Sequence, residues 1–183
     1  MTDALLVIDV QESFRQRESW AEISDPDIAT SVGTLVDHAR AQGDLVVWVL
    51  HSEPGSGTVF DPASGFVRLI DGLKPLDGEP ELTKTSHNAF TTTGLHQLLT
   101  ARGVRGLRVC GIRTEQCCET TARVGSDLGF DVTFVSDATA TNPIRHWRTG
   151  AVLSTAEIVE RTECVLAGRF ATVATVAEVT GVR

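Results

Sequence analysis

The chain has 183 residues, of which 42% are hydrophobic and 22% charged, a composition that predicts a single globular domain over residues 1–183. Its 24 acidic and 16 basic residues give a formal net charge of −8, which argues against nucleic-acid binding. No apolar run approaches the roughly 20 residues that span a bilayer, so a membrane protein is excluded, and the segment after Met1 lacks the features of an export signal, which makes the cytoplasm the expected location.

Short apolar, β-branched runs alternate with helical segments along the chain. In order, the pattern predicts a strand at 4–9, a helix at 26–42, a strand at 45–50, a helix at 93–102, a strand at 107–110, a helix at 115–128, a strand at 132–135, a helix at 144–160, a strand at 163–166 and a short helix at 172–179. Asp25 and Thr114 are the expected N-caps of the first and third helices, and Gly43 ends the first. Apolar strands separated by helices indicate a parallel sheet covered on both faces, which is a three-layer α/β/α sandwich.

Residues 52–80 interrupt this alternation. They are rich in Gly, Pro, Ser and Asp and show no hydrophobic period. A connection of this length is long for a compact domain, so we expect it to be functional, as a lid or as a contact between subunits.

Asp9 and Lys84 are two charged candidates for the sheet edge where ligands of open α/β folds bind. Asp9 ends the first strand, and no glycine-rich turn follows it, which argues against dinucleotide binding. Taken alone, Asp9 is equally well explained as a turn cap, and Lys84 as a solvated surface group.

The third candidate is Cys117, in the first turn of the helix predicted after the strand at 107–110. The positive end of a helix dipole stabilises a thiolate, so the pattern predicts a thiol pKa below its usual value of about 8.5. Cys110, Cys118 and Cys164 are interpreted as packing residues. A carboxylate, an ammonium and a thiol at one sheet edge are the groups that nucleophilic catalysis requires.

The order and spacing of several motifs resemble the isochorismatase-like cysteine hydrolase superfamily, which includes nicotinamidases and N-carbamoylsarcosine amidases. The resemblance covers nearly the whole chain and includes Leu6-Val7-Ile8-Asp9-Val10-Gln11, Lys84 with Phe90, Gly111-Ile112-Arg113-Thr114-Glu115-Gln116-Cys117 and Ser136-Asp137-Ala138-Thr139. It implies a six-stranded parallel sheet in a Rossmann-like order, and a small molecule with an amide-type bond as the substrate.

For the site, the resemblance implies a catalytic triad of Asp9, Lys84 and Cys117. It also implies a cis peptide between Ile112 and Arg113, and an oxyanion hole formed by the backbone N–H groups of Arg113 and Cys117. No cofactor is expected, and the assembly expected from the family is a homodimer or a homotetramer.

Two departures from the family narrow the function. Metal-dependent members carry an Asp-x-His pair after the second strand, whereas this chain reads His51-Ser52-Glu53-Pro54, so no metal site is expected. The presence of Cys117 favours hydrolysis of a C–N bond, since true isochorismatases cleave an enol ether without this cysteine. An enol-ether hydrolase, a non-catalytic binding module and a thiol-redox protein using Cys117 and Cys118 remain the alternatives.

The substrate is not identified by these residues. The predicted pocket side chains are Phe14, Trp20, His87, Phe90 and Thr141, with Phe60, Phe66 and Asn142 as further candidates. The acidic surface permits a cationic substrate, and the segment from Thr114 to Thr121 is similar to the streptothricin hydrolase subgroup, which opens a cyclic amide in a basic antibiotic.

Overall fold

A computed structural model describes residues 3–181. Met1 and Thr2, on which part of the export-signal argument rests, lie outside the described residues, as do Val182 and Arg183. Within the described part of the chain, no helix is long and apolar enough to cross a membrane.

The structure is built on one six-stranded sheet in which every neighbouring pair of strands is parallel. The strands are β1 (Ala4–Ile8), β2 (Leu45–His51), β3 (Glu81–Lys84), β4 (Gly106–Ile112), β5 (Asp131–Ala140) and β8 (Thr172–Ala174). Their order across the sheet is β3-β2-β1-β4-β5-β8. A separate antiparallel hairpin consists of β6 (Ile144–Arg145) and β7 (Val152–Leu153).

Among residues 3–181, six α-helices accompany these strands: α1 (Glu12–Arg15), α2 (Ile28–Gln42), α3 (Leu95–Ala101), α4 (Glu119–Asp127), α5 (Thr155–Leu166) and α6 (Val176–Thr180). The five residues of β1 are all buried, because both faces of the sheet are covered. Leu6 and Ile8 pack in one core with residues of α3, α4 and α5, whereas Leu5 and Val7 pack in the other with α2 and α6. The predicted three-layer α/β/α sandwich with a six-stranded parallel sheet is thus confirmed.

Several element predictions in the last third of the chain are wrong. The predicted strand at 163–166 is the end of α5, and the predicted helix at 144–160 is replaced by the β6–β7 hairpin and the start of α5. The helix begins where Ser154 and Glu157 form a capping box, a local signal that outweighs the β-branched residues near its end. The sixth strand, β8, lies inside the predicted helix at 172–179. Earlier in the chain, the strand β3 was not predicted.

Two predicted helix caps also differ. The N-cap of α2 is Asp27, and Asp25 Oδ1 instead accepts a hydrogen bond from the backbone N of Asp27 at 2.9 Å. Thr114 does not cap an α-helix, because residues Thr114–Cys118 form a π-helical turn before α4 and the Thr114 hydroxyl donates to Thr139 Oγ1. Gly43 ends α2 in the left-handed conformation, as expected.

The segment 52–80 packs over the carboxyl end of β1. The backbone N of Glu12 donates to Arg68 O, and the backbone N of Ile70 donates to Val10 O. Phe60 and Ile70 are buried in the core on the α2 side of the sheet. This segment therefore forms one wall above the strand ends on which the candidate residues lie.

Candidate active site

Asp9, Lys84 and Cys117 come together at the carboxyl edge of the sheet. Asp9 directly follows β1 and adopts a positive φ of 53°, rare for a residue with a side chain, while its backbone N donates to Val49 O at 2.8 Å. Lys84 ends β3, and Cys117 lies in the π-helical turn after β4. Lys84 Nζ donates to Asp9 Oδ2 at 2.7 Å and to Cys117 Sγ at 3.5 Å, so the ammonium bridges the carboxylate and the thiol.

The electrostatics of Cys117 differ from the expectation. Burial raises the pKa of the Cys117 thiol to about 12, the charge of Asp9 adds to this rise, and Lys84 opposes it. The predicted lowering is wrong, because desolvation and the facing carboxylate outweigh both the ammonium and any effect of the helix end. The thiol is therefore protonated in the resting site.

Asp9 has the electronic properties of a base for this thiol. Both Asp9 and Lys84 are wholly buried, and burial raises the pKa of Asp9, although Lys84 and Cys117 hold it down in part. Asp9 Oδ2 is held by Lys84, while Oδ1 has no hydrogen-bond partner among the described residues. That oxygen is free to accept a proton from a thiol or a water molecule.

His51 extends this set of contacts. Its Nδ1 lies 3.4 Å from Lys84 Nζ, and its Nε2 lies 3.4 Å from Glu53 Oε1. Gln11 fixes the backbone of His51 from both sides: its Oε1 accepts from His51 N at 2.7 Å and its Nε2 donates to His51 O at 3.0 Å. Among residues 3–181, no group of three His, Cys, Asp or Glu side chains is arranged to hold a metal ion.

A cavity of about 290 Å³ opens onto Cys117. It is lined by Asp9, Phe14, Arg17, His51, Glu53, Phe60, His87, Arg113, Gln116 and Cys117. Phe60 packs edge-on against both Phe14 and His51, with ring centroids 5.0 and 5.7 Å apart. The segment 52–80 thus supplies an aromatic wall and one carboxylate to the site. The peptide bond between Ile112 and Arg113, directly before the lining residue Arg113, is cis.

The predicted substrate contacts divide into two groups. Phe14 and His87 line the cavity, but Trp20, Phe90 and Thr141 are absent from its described lining. Trp20 packs against the core on the α2 side, and Phe90 stacks on Phe130 within the opposite core. Thr141 is buried and donates a hydrogen bond to Glu115 Oε2.

Sequence reasoning missed three lining side chains. Arg17 and Gln116 were not singled out, and Arg113 was considered only for its backbone N–H. Arg113 and Gln116 lie within the Gly111–Cys117 motif, and their closeness in sequence to Cys117 could have predicted that they line the cavity. Arg17 lies beyond α1 in a polar segment, where nothing in the sequence indicates which way it faces.

Comparison with known proteins identifies close relatives. The chain is 37% identical over 142 residues to streptothricin hydrolase from Streptomyces noursei, a match that covers 77% of this chain and 55% of that protein. It is 28% identical over 170 residues to the ureidoacrylate amidohydrolase RutB of an Enterobacter species, covering 74% of each chain.

Solved structures agree with this relationship. A protein of the isochorismatase family from Chromobacterium violaceum superimposes with a TM-score of 0.91 at 27% identity, over 98% of this chain and 92% of that one. A cysteine hydrolase from Pseudomonas syringae gives a TM-score of 0.87, also at 27% identity, over 98% and 91% of the two chains. The sequence model of the isochorismatase domain matches residues 3–177, and the chain therefore belongs to the isochorismatase family of hydrolases.

Proposed function

We propose that this protein hydrolyses a C–N bond in a small molecule, such as an amide, a cyclic amide or a carbamoyl group, through a thioester on Cys117. The observation that carries the proposal is the contact of Lys84 Nζ with both Asp9 Oδ2 and Cys117 Sγ, at 2.7 and 3.5 Å, on a cavity that opens to the surface. One relative is named a ureidoacrylate amidohydrolase and another a streptothricin hydrolase, and one structural neighbour is named a cysteine hydrolase.

The first half of the reaction transfers the acyl group to the enzyme. Asp9 takes the proton from the Cys117 thiol as Sγ attacks the carbonyl carbon, which breaks the C=O π bond and leaves an oxyanion. The backbone N–H groups of Arg113 and Cys117 donate to that oxyanion. When the C–N bond breaks, protonated Asp9 gives its proton to the leaving nitrogen, and a thioester remains.

The second half restores the enzyme. Asp9 accepts a proton from a water molecule, whose oxygen attacks the thioester carbonyl and gives a second oxyanion. When this intermediate collapses, the C–S bond breaks, protonated Asp9 returns the proton to Sγ, and a carboxylic acid and the Cys117 thiol are released. Lys84 stabilises the sulfur while it carries negative charge, and it holds Asp9 in place throughout. The raised pKa of Asp9 suits this cycle, because a more basic carboxylate takes up and returns a proton more readily near neutral pH.

Replacing the nucleophile tests the proposal. Cys117→Ala removes the only atom that forms the thioester, so we expect release of amine or ammonia from a panel of carboxamides, lactams and carbamoyl compounds to fall to background while the far-ultraviolet circular dichroism stays unchanged. Cys164→Ala, at an exposed cysteine, is the matched control and should keep wild-type turnover. Undiminished turnover in Cys117→Ala would overturn the proposal.

A further inference from the structure

Two arginine side chains line the cavity, and neither forms an ion pair with a carboxylate among residues 3–181. Arg17 is exposed at the rim and Arg113 is half-buried, and both line the cavity with Cys117. In the part of the chain that the structure describes, Arg113 Nε is buried without a hydrogen-bond acceptor. The nearest aromatic contact of Arg17 is Phe60, whose ring centroid lies 6.0 Å from the guanidinium carbon. A buried guanidinium donor without an acceptor is costly, so its place on a cavity wall points to an acceptor that comes from a ligand.

The carboxylates of the cavity do not fill this role. Asp9 Oδ2 is bound by Lys84. Glu53 accepts a hydrogen bond from Thr58 Oγ1 at 3.2 Å and lies 3.4 Å from His51 Nε2. Both oxygens of Glu53 and one oxygen of Asp9 thus contact neighbours, whereas Asp9 Oδ1 and the two guanidinium groups have no hydrogen-bond partner among residues 3–181.

Glu115 is the carboxylate whose negative charge acts on Arg113, but among residues 3–181 no hydrogen bond joins the two side chains, and Glu115 Oε1 is itself buried without a hydrogen-bond partner. Its Oε2 accepts a hydrogen bond from Thr141 Oγ1, and it does not line the cavity. Burial lowers the pKa of the Arg113 guanidinium, the charge of Glu115 opposes this, and the charge of Arg17 lowers the pKa further. A bound anion between the two arginines would relieve both unfavourable effects.

We propose that Arg113 and Arg17 form a subsite for a carboxylate group of the substrate, next to the bond that Cys117 attacks. Guanidinium groups are the side chains best suited to a carboxylate, since their planar donors match its two oxygens. As a statement about substrate, this rests on the hydrolase function proposed above and narrows it to amides that carry a negative charge. The net charge of −8 over the whole chain favours a cationic molecule instead, so the two arginines are a local exception to the charge of the chain.

Alkylation of Cys117 provides a test that needs no substrate. Iodoacetate and iodoacetamide form the same S–C bond and release iodide, but only iodoacetate carries a carboxylate. The rate ratio of iodoacetate to iodoacetamide at Cys117, measured at one alkaline pH by peptide mass spectrometry, therefore reports attraction of the carboxylate. We expect this ratio to fall about tenfold in Arg113→Met and in Arg17→Met, the effect of losing one charge-assisted contact.

Two further variants make the result specific. Arg113→Lys keeps the positive charge and should retain part of the ratio, and Arg102→Met, at an exposed arginine after α3, should leave it unchanged. Because Arg113 lies beside the turn that carries Cys117, its methionine variant is first checked by thermal unfolding; if it does not fold, Arg17→Met decides. A wild-type ratio in Arg17→Met, or in folded Arg113→Met, would overturn the subsite.

A substrate pair then separates this proposal from the hydrolase function. We expect faster ammonia release from succinamate than from butyramide, which has the same chain without the carboxylate, and we expect Arg113→Met to remove the difference mainly through KM. If the wild-type protein releases nothing from any amide while the alkylation ratio still depends on the arginines, the hydrolase function is overturned and the anion subsite stands. If amides are hydrolysed with no preference for the charged one, the assignment of a carboxylate-bearing substrate is overturned instead.

Discussion

Asp9 acts on Cys117 in two ways that oppose each other. As a negative charge facing the thiol, it raises the thiol pKa and keeps the resting sulfur protonated. As a carboxylate whose Oδ1 has no hydrogen-bond partner among residues 3–181, it removes that proton during attack in the reaction that we propose. The resting site therefore holds a thiol beside a carboxylate, and in the proposed reaction the nucleophile forms only as the substrate reacts.

This dual role predicts opposite effects of Asp9→Asn on two measurements. Removing the charge lowers the Cys117 pKa while Lys84 stays in place, so alkylation of Cys117 by iodoacetamide near pH 8 should become faster than in the wild type. Loss of the base should at the same time reduce amide turnover by about a hundredfold or more. The readouts are the pH profile of alkylation at Cys117 and kcat with a substrate found in the screen.

Asp77→Asn, at an exposed carboxylate, is the matched control and should change neither quantity. Slower alkylation of Cys117 in Asp9→Asn would contradict this account, because it would mean that Asp9 activates the sulfur already in the resting enzyme.

The candidate residues were predictable from the sequence, but their electrostatics were not. Asp9 and Cys117 follow strands in a parallel sheet, and that alone brings them to one edge. The thiol pKa depends on how deeply Sγ is buried and on which carboxylate faces it, and neither is visible in the spacing of residues. The same reason explains why Phe90 and Thr141 were wrongly predicted to contact the substrate: their sequence positions near the site do not reveal that their side chains are buried in the packed interior.

At the scale of elements, the approach of β4 to β1 depends on a glycine. Gly111 pairs with Ile8 across the two strands and adopts a φ of +129°. A Cβ at this position would lie 1.9 Å from the carbonyl oxygen of Ile8. The strand that leads into the cysteine turn can therefore lie against the strand that leads into Asp9 only because residue 111 has no side chain.

We expect Gly111→Ala to destabilise the fold and to reduce turnover in whatever fraction remains folded, since the clash forces β1 and β4 apart directly before Asp9 and Arg113. The control is Gly103→Ala, which has a φ of +66° and nothing within 4 Å of the added Cβ, and so reports the cost of the backbone conformation alone. That cost is about 1–2 kcal/mol. Urea unfolding of the two variants gives the comparison, and equal losses of unfolding free energy would show that the contact with Ile8 is not limiting.

The elements that sequence analysis predicted well are those with strong local signals. The run Leu5–Ile8 and the amphipathic α2 with its terminal Gly43 are examples. The β6–β7 hairpin and β8 are only two or three residues each, and such short strands form because partners are available in the fold, not because of their own propensity. Their absence from the prediction reflects this dependence on tertiary context.

At the scale of the whole molecule, the ion pair of the candidate active site also connects parts of the sheet. Lys84 on β3 and Asp9 after β1 are both fully buried and join strands that are separated by β2. Removing one member leaves the other charge buried without compensation, which is more damaging than removing both.

The homodimer or homotetramer expected from the family stays a prediction, to be checked by light scattering coupled to size-exclusion chromatography.

Lys84→Met should therefore lower the free energy of unfolding by about 3–5 kcal/mol near neutral pH, and the double variant Asp9→Asn/Lys84→Met should recover most of that loss. Neither variant should turn over substrate. Lys74→Met, at the exposed position 74, is the matched control and should remain as stable as the wild type. Additive losses in the double variant would show that the two side chains contribute to stability independently.

The loss of unfolding free energy in Lys84→Met should depend on pH, and the sign of that dependence follows from Asp9. Lys84 lowers the pKa of Asp9 against the stronger effect of burial, so its removal moves the folded-state pKa of Asp9 further above the unfolded value. The folded variant then binds a proton more tightly than the unfolded chain does, and its stability rises as the pH falls through that folded-state pKa. The difference in unfolding free energy between Lys84→Met and the wild type should accordingly shrink when urea unfolding is repeated from about pH 8 down to about pH 5. A difference that stays constant over this range would mean that loss of packing by the lysine chain, and not the uncompensated charge of Asp9, destabilises the variant.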